Sequence, residues 1–299
     1  MPTKLKAINP QLVKPGHLKG VLFGKPGAGK TWTALGFPGV FLIDTENGAR
    51  LAHYTEKLVA SGGVYLGPSE GSQDFETVIN QIIALSTEKH PYKTLVIDSI
   101  TKLFELEIAR EAERLGSKDA FGASKKPAVA HMRRLVSWLG KLDMNCWLIA
   151  HETSEWGVID GQRAELGKMP SIWPGLIYEI DLTLQIRMHN AKRRDAVVYK
   201  SRLTGFPQND VIVLQDGQDK GYEEIATRYG KDFIEAAPVA VDLATPEQVE
   251  QITKLFAAMN LTDEQIAKGL AKRNVESIKE LSTTDAATII TELKAKIEI

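Results

Sequence analysis

The stretch GKPGAGKT, residues 24–31, constrains this chain more than any other. It follows the apolar run KGVLF and precedes a helix-compatible segment, so it reads as strand, glycine-rich loop and helix. Gly24, Gly27 and Gly29 let the backbone turn tightly, so that successive N–H groups can face phosphate oxygens. The helix start adds its positive end. Lys30 offers a compact charge to the outer phosphates, and the Thr31 hydroxyl offers a hard oxygen to a divalent cation. The expected ligands are ATP and Mg²⁺. The expected nucleotide-binding set is Gly24, Lys25, Pro26, Gly27, Ala28, Gly29, Lys30, Thr31 and Trp32.

Four continuous apolar runs, at 19–24, 39–44, 93–98 and 146–151, read as strands covered on both faces. Between them, 75–88, 100–116 and 129–142 carry apolar residues at three- and four-residue spacing and read as amphipathic helices. Alternation of this kind implies an α/β fold with a mainly parallel sheet. A β-hairpin is expected around 180–203, its strands joined by the polar turn HNAKRRD, with a further strand at DVIVLQDG. The ATPase-type core is thus expected over 1–234, with a linker at 235–244. A small helical domain follows over 245–299, opened by the capping-box patterns TPEQ and TDEQ.

Composition narrows the function classes. With 299 residues, 43% hydrophobic and 25% charged, the chain has ample core material. A net charge of −1 gives no whole-chain attraction to nucleic acid or membrane, so any such contact must be local. No apolar run approaches the ~20 residues that span a bilayer, and the N-terminus lacks a signal-peptide core. A cytoplasmic protein without a membrane partner is expected. The single cysteine, Cys146, sits in an apolar run and reads as an inert core residue.

Three of the strands end in polar residues, at Asp44 and Glu46, at Asp98, and at His151. In an open parallel sheet that edge is where ligands bind. Asp98 is the expected second metal ligand beside Thr31, since hard cations select oxygen. Glu46, two residues past its strand, suits a carboxylate that orients and deprotonates an attacking water.

Taken in order, GKPGAGKTW, FLIDTENG, LVIDSI, LIAHE and YKSRLTGFP resemble the motifs of RecA-like ATPases, most closely the phage-encoded, core-only group implicated in single-strand annealing and recombination. The similarity covers roughly residues 15–215. It implies that Glu46 is the catalytic base and His151 the γ-phosphate sensor, where RecA itself carries glutamine. It also implies a homo-oligomer, ring or filament, in which Lys200 and Arg202 reach a neighbour's phosphates. The loop positions of that family fall at 115–127 and 151–175, read here as irregular segments. Their candidates for single-stranded DNA are Lys118, Phe121, Lys125, Lys126, Trp156, Arg163 and Lys168. The turn at 192–194 reads as a basic patch. The C-terminal domain is the expected docking point for a single-strand-binding or replication protein. A bacterial host cytoplasm fits a phage-type protein. Three rival readings remain open at this point: a hexameric helicase-type motor, a nucleotide-dependent regulatory or assembly ATPase without a DNA role, and a small-molecule kinase.

Overall fold

The computed structural model describes residues 16–119 and 122–297. In chain order the first elements are β1 (Lys19–Phe23), α1 (Lys30–Ala34), β2 (Val40–Asp44), α2 (Ala52–Ala60), β3 (Val64–Leu66), α3 (Phe75–Thr87), β4 (Thr94–Asp98), α4 (Ile100–Leu115), α5 (Lys125–Lys141) and β5 (Asn145–Ala150). Then come β6 (Glu152–Ile159), β7 (Gln162–Pro170), α6 (Pro174–Glu179), β8 (Leu182–Asn190), β9 (Arg193–Ser201), β10 (Val211–Asp216) and β11 (Gln218–Asp219). The chain closes with α7 (Gly221–Tyr229), α8 (Lys231–Glu235), α9 (Pro246–Ala258), α10 (Asp263–Ala271) and α11 (Thr283–Ile297). None of the described helices is long and apolar enough to cross a membrane.

Contacts group the chain into two compact units that are not consecutive in sequence. One takes the residues through Glu70 together with 91–102 and 143–238; the other takes 71–90, 103–142 and the residues from Val239 onward. The first unit holds a nine-stranded sheet of order β11-β10-β9-β8-β1-β5-β4-β2-β3. From β3 to β8 every pairing is parallel, and β9, β10 and β11 add antiparallel strands at one edge. Its core joins Leu22, Leu42, Trp147, Leu184 and Leu214 from the strands to Leu35 and Phe37 from the turn after α1 and to Ile225 and Ile234 from α7 and α8. Cys146 is fully buried, and burial pushes its thiol up to about 12, which fits an inert core role.

The second unit contains α3, most of α4, α5 and the C-terminal helices. Buried Arg134 on α5 pairs there with Glu76, Glu276 and Glu280. Both capping boxes form: Thr245 and Gln248 bond reciprocally at the start of α9, and Thr262 and Gln265 do so at the start of α10. Ile252, Leu270, Leu281, Ala286 and Ile289 form the local core.

Three local expectations differ from the structure. The segment 151–175 is not irregular: β6 and β7 form an antiparallel hairpin, followed by α6. Its cause is the Asp160-Gly161 pair, both at positive φ, flanked by β-favouring Trp156, Val158 and Ile159. The turn between β8 and β9 shrinks to Ala191 and Lys192, so Arg193 and Arg194 are strand residues. Arg194 is buried and Arg187 is engaged by Asp195, so the basic patch shrinks to exposed Lys192 and Arg193. In 115–127, a short 3₁₀ turn covers Gly116–Lys118, and Lys125 and Lys126 begin α5.

Candidate active site

The sheet register brings the strand-end acids level with one another. Asp44 lies opposite Asp98, and Asp98 lies opposite Ile149, two residues before His151. The phosphate-loop strand β1 is separated from β4 by β5. The gap is bridged by side chains, since Thr31 Oγ1 donates to Asp98 Oδ2 at 2.6 Å.

Around this edge lies a cavity of about 520 Å³, lined by the loop residues Gly24, Gly27, Lys30 and Thr31 together with Glu46 and Asp98. His151 lines it too, as do Tyr54 and Glu152. Gly24 and Gly29 both adopt positive φ. A Cβ on Gly24 would stand 2.3 Å from the Ile186 carbonyl oxygen, and one on Gly29 would stand 2.1 Å from Arg194 Nη1. The loop therefore needs glycine at both places for space as well as for conformation. Lys30 Nζ donates to the carbonyls of Gly24 and Lys25 at 2.9 and 3.0 Å, which holds its ammonium over the loop. Burial lowers its pKa, against the pull of Asp98, Glu46 and Glu152.

Asp98 is buried at the cavity floor. Burial pushes its carboxyl up to about 6; the neighbouring charges of Glu46 and Asp44 push the same way, and the Thr31 bond and Lys30 push back. A hydroxyl beside a buried carboxylate crowded by acids is a donor set that fits a hard divalent cation, and Thr31 and Asp98 are the residues that would hold Mg²⁺.

Glu46 sits at the mouth of the cavity. Its Oε1 accepts from Ser99 Oγ at 2.5 Å and from His151 Nε2 at 2.5 Å. Burial raises its pKa, but the Ser99 and His151 bonds and the charges of His151 and Lys30 outweigh that and hold it below the ordinary carboxylate value. Glu46 is thus kept ionised, with Oε2 unengaged among the described residues. Its backbone is placed by Asp44, whose carboxylate accepts from the N–H groups of Glu46, Gly48 and Ala49. The hydroxyl of Ser99 is itself fixed by the Lys102 N–H. His151 is set by its backbone N–H, which donates to Thr101 Oγ1.

Other expected residues fall elsewhere. Trp32 is absent from the cavity lining: its indole N–H donates to Asp219 Oδ2 at 2.5 Å, and Lys57 Nζ lies 3.9 Å from its ring centre. Lys200 and Arg202 donate to the carbonyls of Ile180 and Tyr178, and Arg202 lies just past the end of β9 instead of on it. Register puts Ser201 opposite Leu182 and Leu182 opposite Gly20, near the amino end of β1. The chain's own phosphate loop leaves the carboxyl end of that strand. Trp156 and Arg163 are exposed on the hairpin, with the guanidinium 4.6 Å from the ring centre, and Lys168 Nζ meets Ser154 Oγ at 3.0 Å. Lys118, Lys125 and Lys126 are exposed in the second unit. Phe121 lies outside the described residues.

Several contributors escaped the sequence reading. Ser99, the hydroxyl straight after Asp98, was legible as the polar end of VIDS. Asp219 and Arg194 were not: Asp219 gathers Trp32, Lys57 and Arg194 onto one carboxylate on the outermost strand, beside the loop helix.

Comparison with curated proteins finds no match. A family model described as an AAA domain matches residues 17–226, more than half of the chain and every residue of this cavity. The chain therefore belongs to the AAA-domain family of P-loop ATPases.

Proposed function

We propose that this chain is a RecA-like ATPase of the phage type that hydrolyses ATP between subunits and works on single-stranded DNA in recombination or annealing. The observation that carries the reading is the position of Glu46. The residue after Asp98 is a serine, so the second carboxylate of the site comes from the neighbouring strand β2 and meets Ser99 and His151. That origin is what the RecA-like resemblance implies for a catalytic base.

In this reading Glu46 Oε2 accepts a hydrogen bond from a water poised at the γ-phosphorus. As the new O–P bond forms, the water's proton passes to Glu46 and the bond to the bridging oxygen breaks, giving ADP and inorganic phosphate. Lys30 and the loop N–H groups hold the phosphates. Thr31 and Asp98 would hold Mg²⁺, which would supply positive charge against the charge that develops on the transferred phosphoryl group. Lys200 and Arg202 act on a neighbouring subunit's site, which their location at the far end of the sheet favours.

For DNA, the support is the β6–β7 hairpin. It leaves the sheet directly after His151 and carries Trp156, Arg163 and Lys168. Beside it a groove of about 750 Å³ runs from Lys25 past Lys168 to His189. Cations with an exposed aromatic suit a single strand, whose bases stack while its phosphates pair. A contact there would reach Glu46 through His151.

The test is ATP turnover with and without single-stranded DNA, on wild type and Glu46→Gln. The variant should still bind ATP while losing about 10²-fold or more in turnover. Wild-type turnover in Glu46→Gln would remove the base assignment. Absence of both DNA binding and DNA-dependent turnover would remove the recombination reading and leave an ATPase.

A further inference from the structure

The C-terminal helices carry a second cavity, independent of the nucleotide site. It measures about 350 Å³ and is lined by Phe256, Leu261, Ile266, Ile289 and Leu293 around Gly269. Its size lies at the low end of the about 300–1,000 Å³ typical of ligand sites, enough for one or two apolar side chains and too small for a large cofactor.

Gly269 sits near the end of α10, inside a regular helix, and is not among the glycines with positive φ. A Cβ there would meet nothing within 4 Å. Neither backbone conformation nor packing requires glycine, yet glycine costs about 1 kcal/mol against alanine in a helix interior. What the missing side chain does is keep the cavity open.

The rim decides the class of occupant. Lys272, Arg273 and Lys296 line it against one acid, Glu292, which Arg273 already engages at 2.9 Å. Lys272 and Lys296 have no ion pair among the described residues. An apolar floor beneath unpaired ammonium groups selects a ligand with apolar side chains set among carboxylates. Nucleic acid would find the cations but would place its bases over aliphatic Ile266, Ile289 and Leu293.

We propose that this cavity is the docking site for an acidic peptide segment of a partner protein, anchored by an aromatic or aliphatic side chain seated over Gly269. The proposal stands whether or not the chain acts on DNA.

The test uses fluorescence anisotropy of a fluorescein-labelled peptide with one phenylalanine and one leucine set among aspartates, titrated with the full chain. Binding should weaken about tenfold or more in Gly269→Leu, and similarly in the surface double variant Lys272→Glu with Lys296→Glu. It should also fall with added salt. ATP turnover of Gly269→Leu should match wild type and its melting temperature should be no lower, since leucine removes the helix cost of glycine; if that variant fails to fold, the double charge reversal decides. Equal binding by wild type and the variants overturns the proposal, as does equal binding of a peptide with asparagine at every aspartate. A shift of oligomeric state in Gly269→Leu, without peptide binding by wild type, would assign the cavity to a second copy of the chain. Stronger binding of a single-stranded oligonucleotide, lost in the same variants, would assign it to nucleic acid.

Discussion

At the residue scale, Glu46 owes its position to Asp44. The two acids are one residue apart, yet they end in opposite roles. Asp44 is buried and spends its oxygens on backbone N–H groups and the Tyr65 hydroxyl, while Glu46 projects into the cavity. Lys30, Thr31, Asp98, Glu46 and His151, all legible as strand ends and a loop, line one cavity. Trp32 on α1, in the expected nucleotide-binding set, turns its indole toward Asp219. The buried Arg194 beneath the loop sharpens the demand at Gly29. Gly29→Ala places a Cβ at positive φ, which costs about 1–2 kcal/mol in the backbone alone, and displaces the guanidinium besides. The expected outcome is a lower urea midpoint together with loss of ATP binding; unchanged values for both would show that the loop does not depend on this contact.

At the element scale, long apolar runs were the most legible part of the fold. β1, β2, β4 and β5 fall within a residue or so of their apolar runs, because a strand covered on both faces leaves little room for polar residues. The β6–β7 hairpin was missed although its Asp-Gly turn was in plain sight; the polar, exposed character of its strands masked the signal. Helices α4 and α5 are joined by a contact that neither pattern announces. His131 on α5 bonds to buried Glu107 on α4, and Arg110 bonds to the same carboxylate, with Glu111 and Arg114 as neighbours. The Glu107 bond raises the His131 pKa above its ordinary 6.5. Burial raises that of Glu107, but bonds from His131 and Arg110 bring it below 4.5. A raised histidine stabilises fully below about pH 6.5, and that contribution is lost as pH rises through the folded value. A lowered carboxylate contributes above about pH 4.5 and is lost as pH falls. The melting temperature of the wild type should therefore decline as pH rises above 6.5. His131→Gln should flatten that slope, and an unchanged slope would exclude this pair as its source.

At the scale of the whole molecule, the register separates the two halves of the proposed catalytic set. The phosphate loop leaves the carboxyl end of β1, whereas Arg202 lies level with its amino end. If the finger acts in trans, Lys200→Ala and Lys30→Ala chains should each be inactive alone. An equal mixture should recover turnover at about a quarter of its interfaces, since head-to-tail assembly pairs the intact halves at random. No recovery on mixing, with both variants folded and able to assemble, would exclude the finger. The sequence by itself determined the strand-loop-helix phosphate site, the parallel α/β core, the strand-end acids and both helix caps. Each of these depends on residue types within a few positions, where backbone geometry leaves little choice. Only the tertiary structure decided that Ser99 and His151 share Glu46, and that Asp219 anchors the loop helix. Those contacts join residues 53, 105 and 187 positions apart, a separation over which local pattern carries no information.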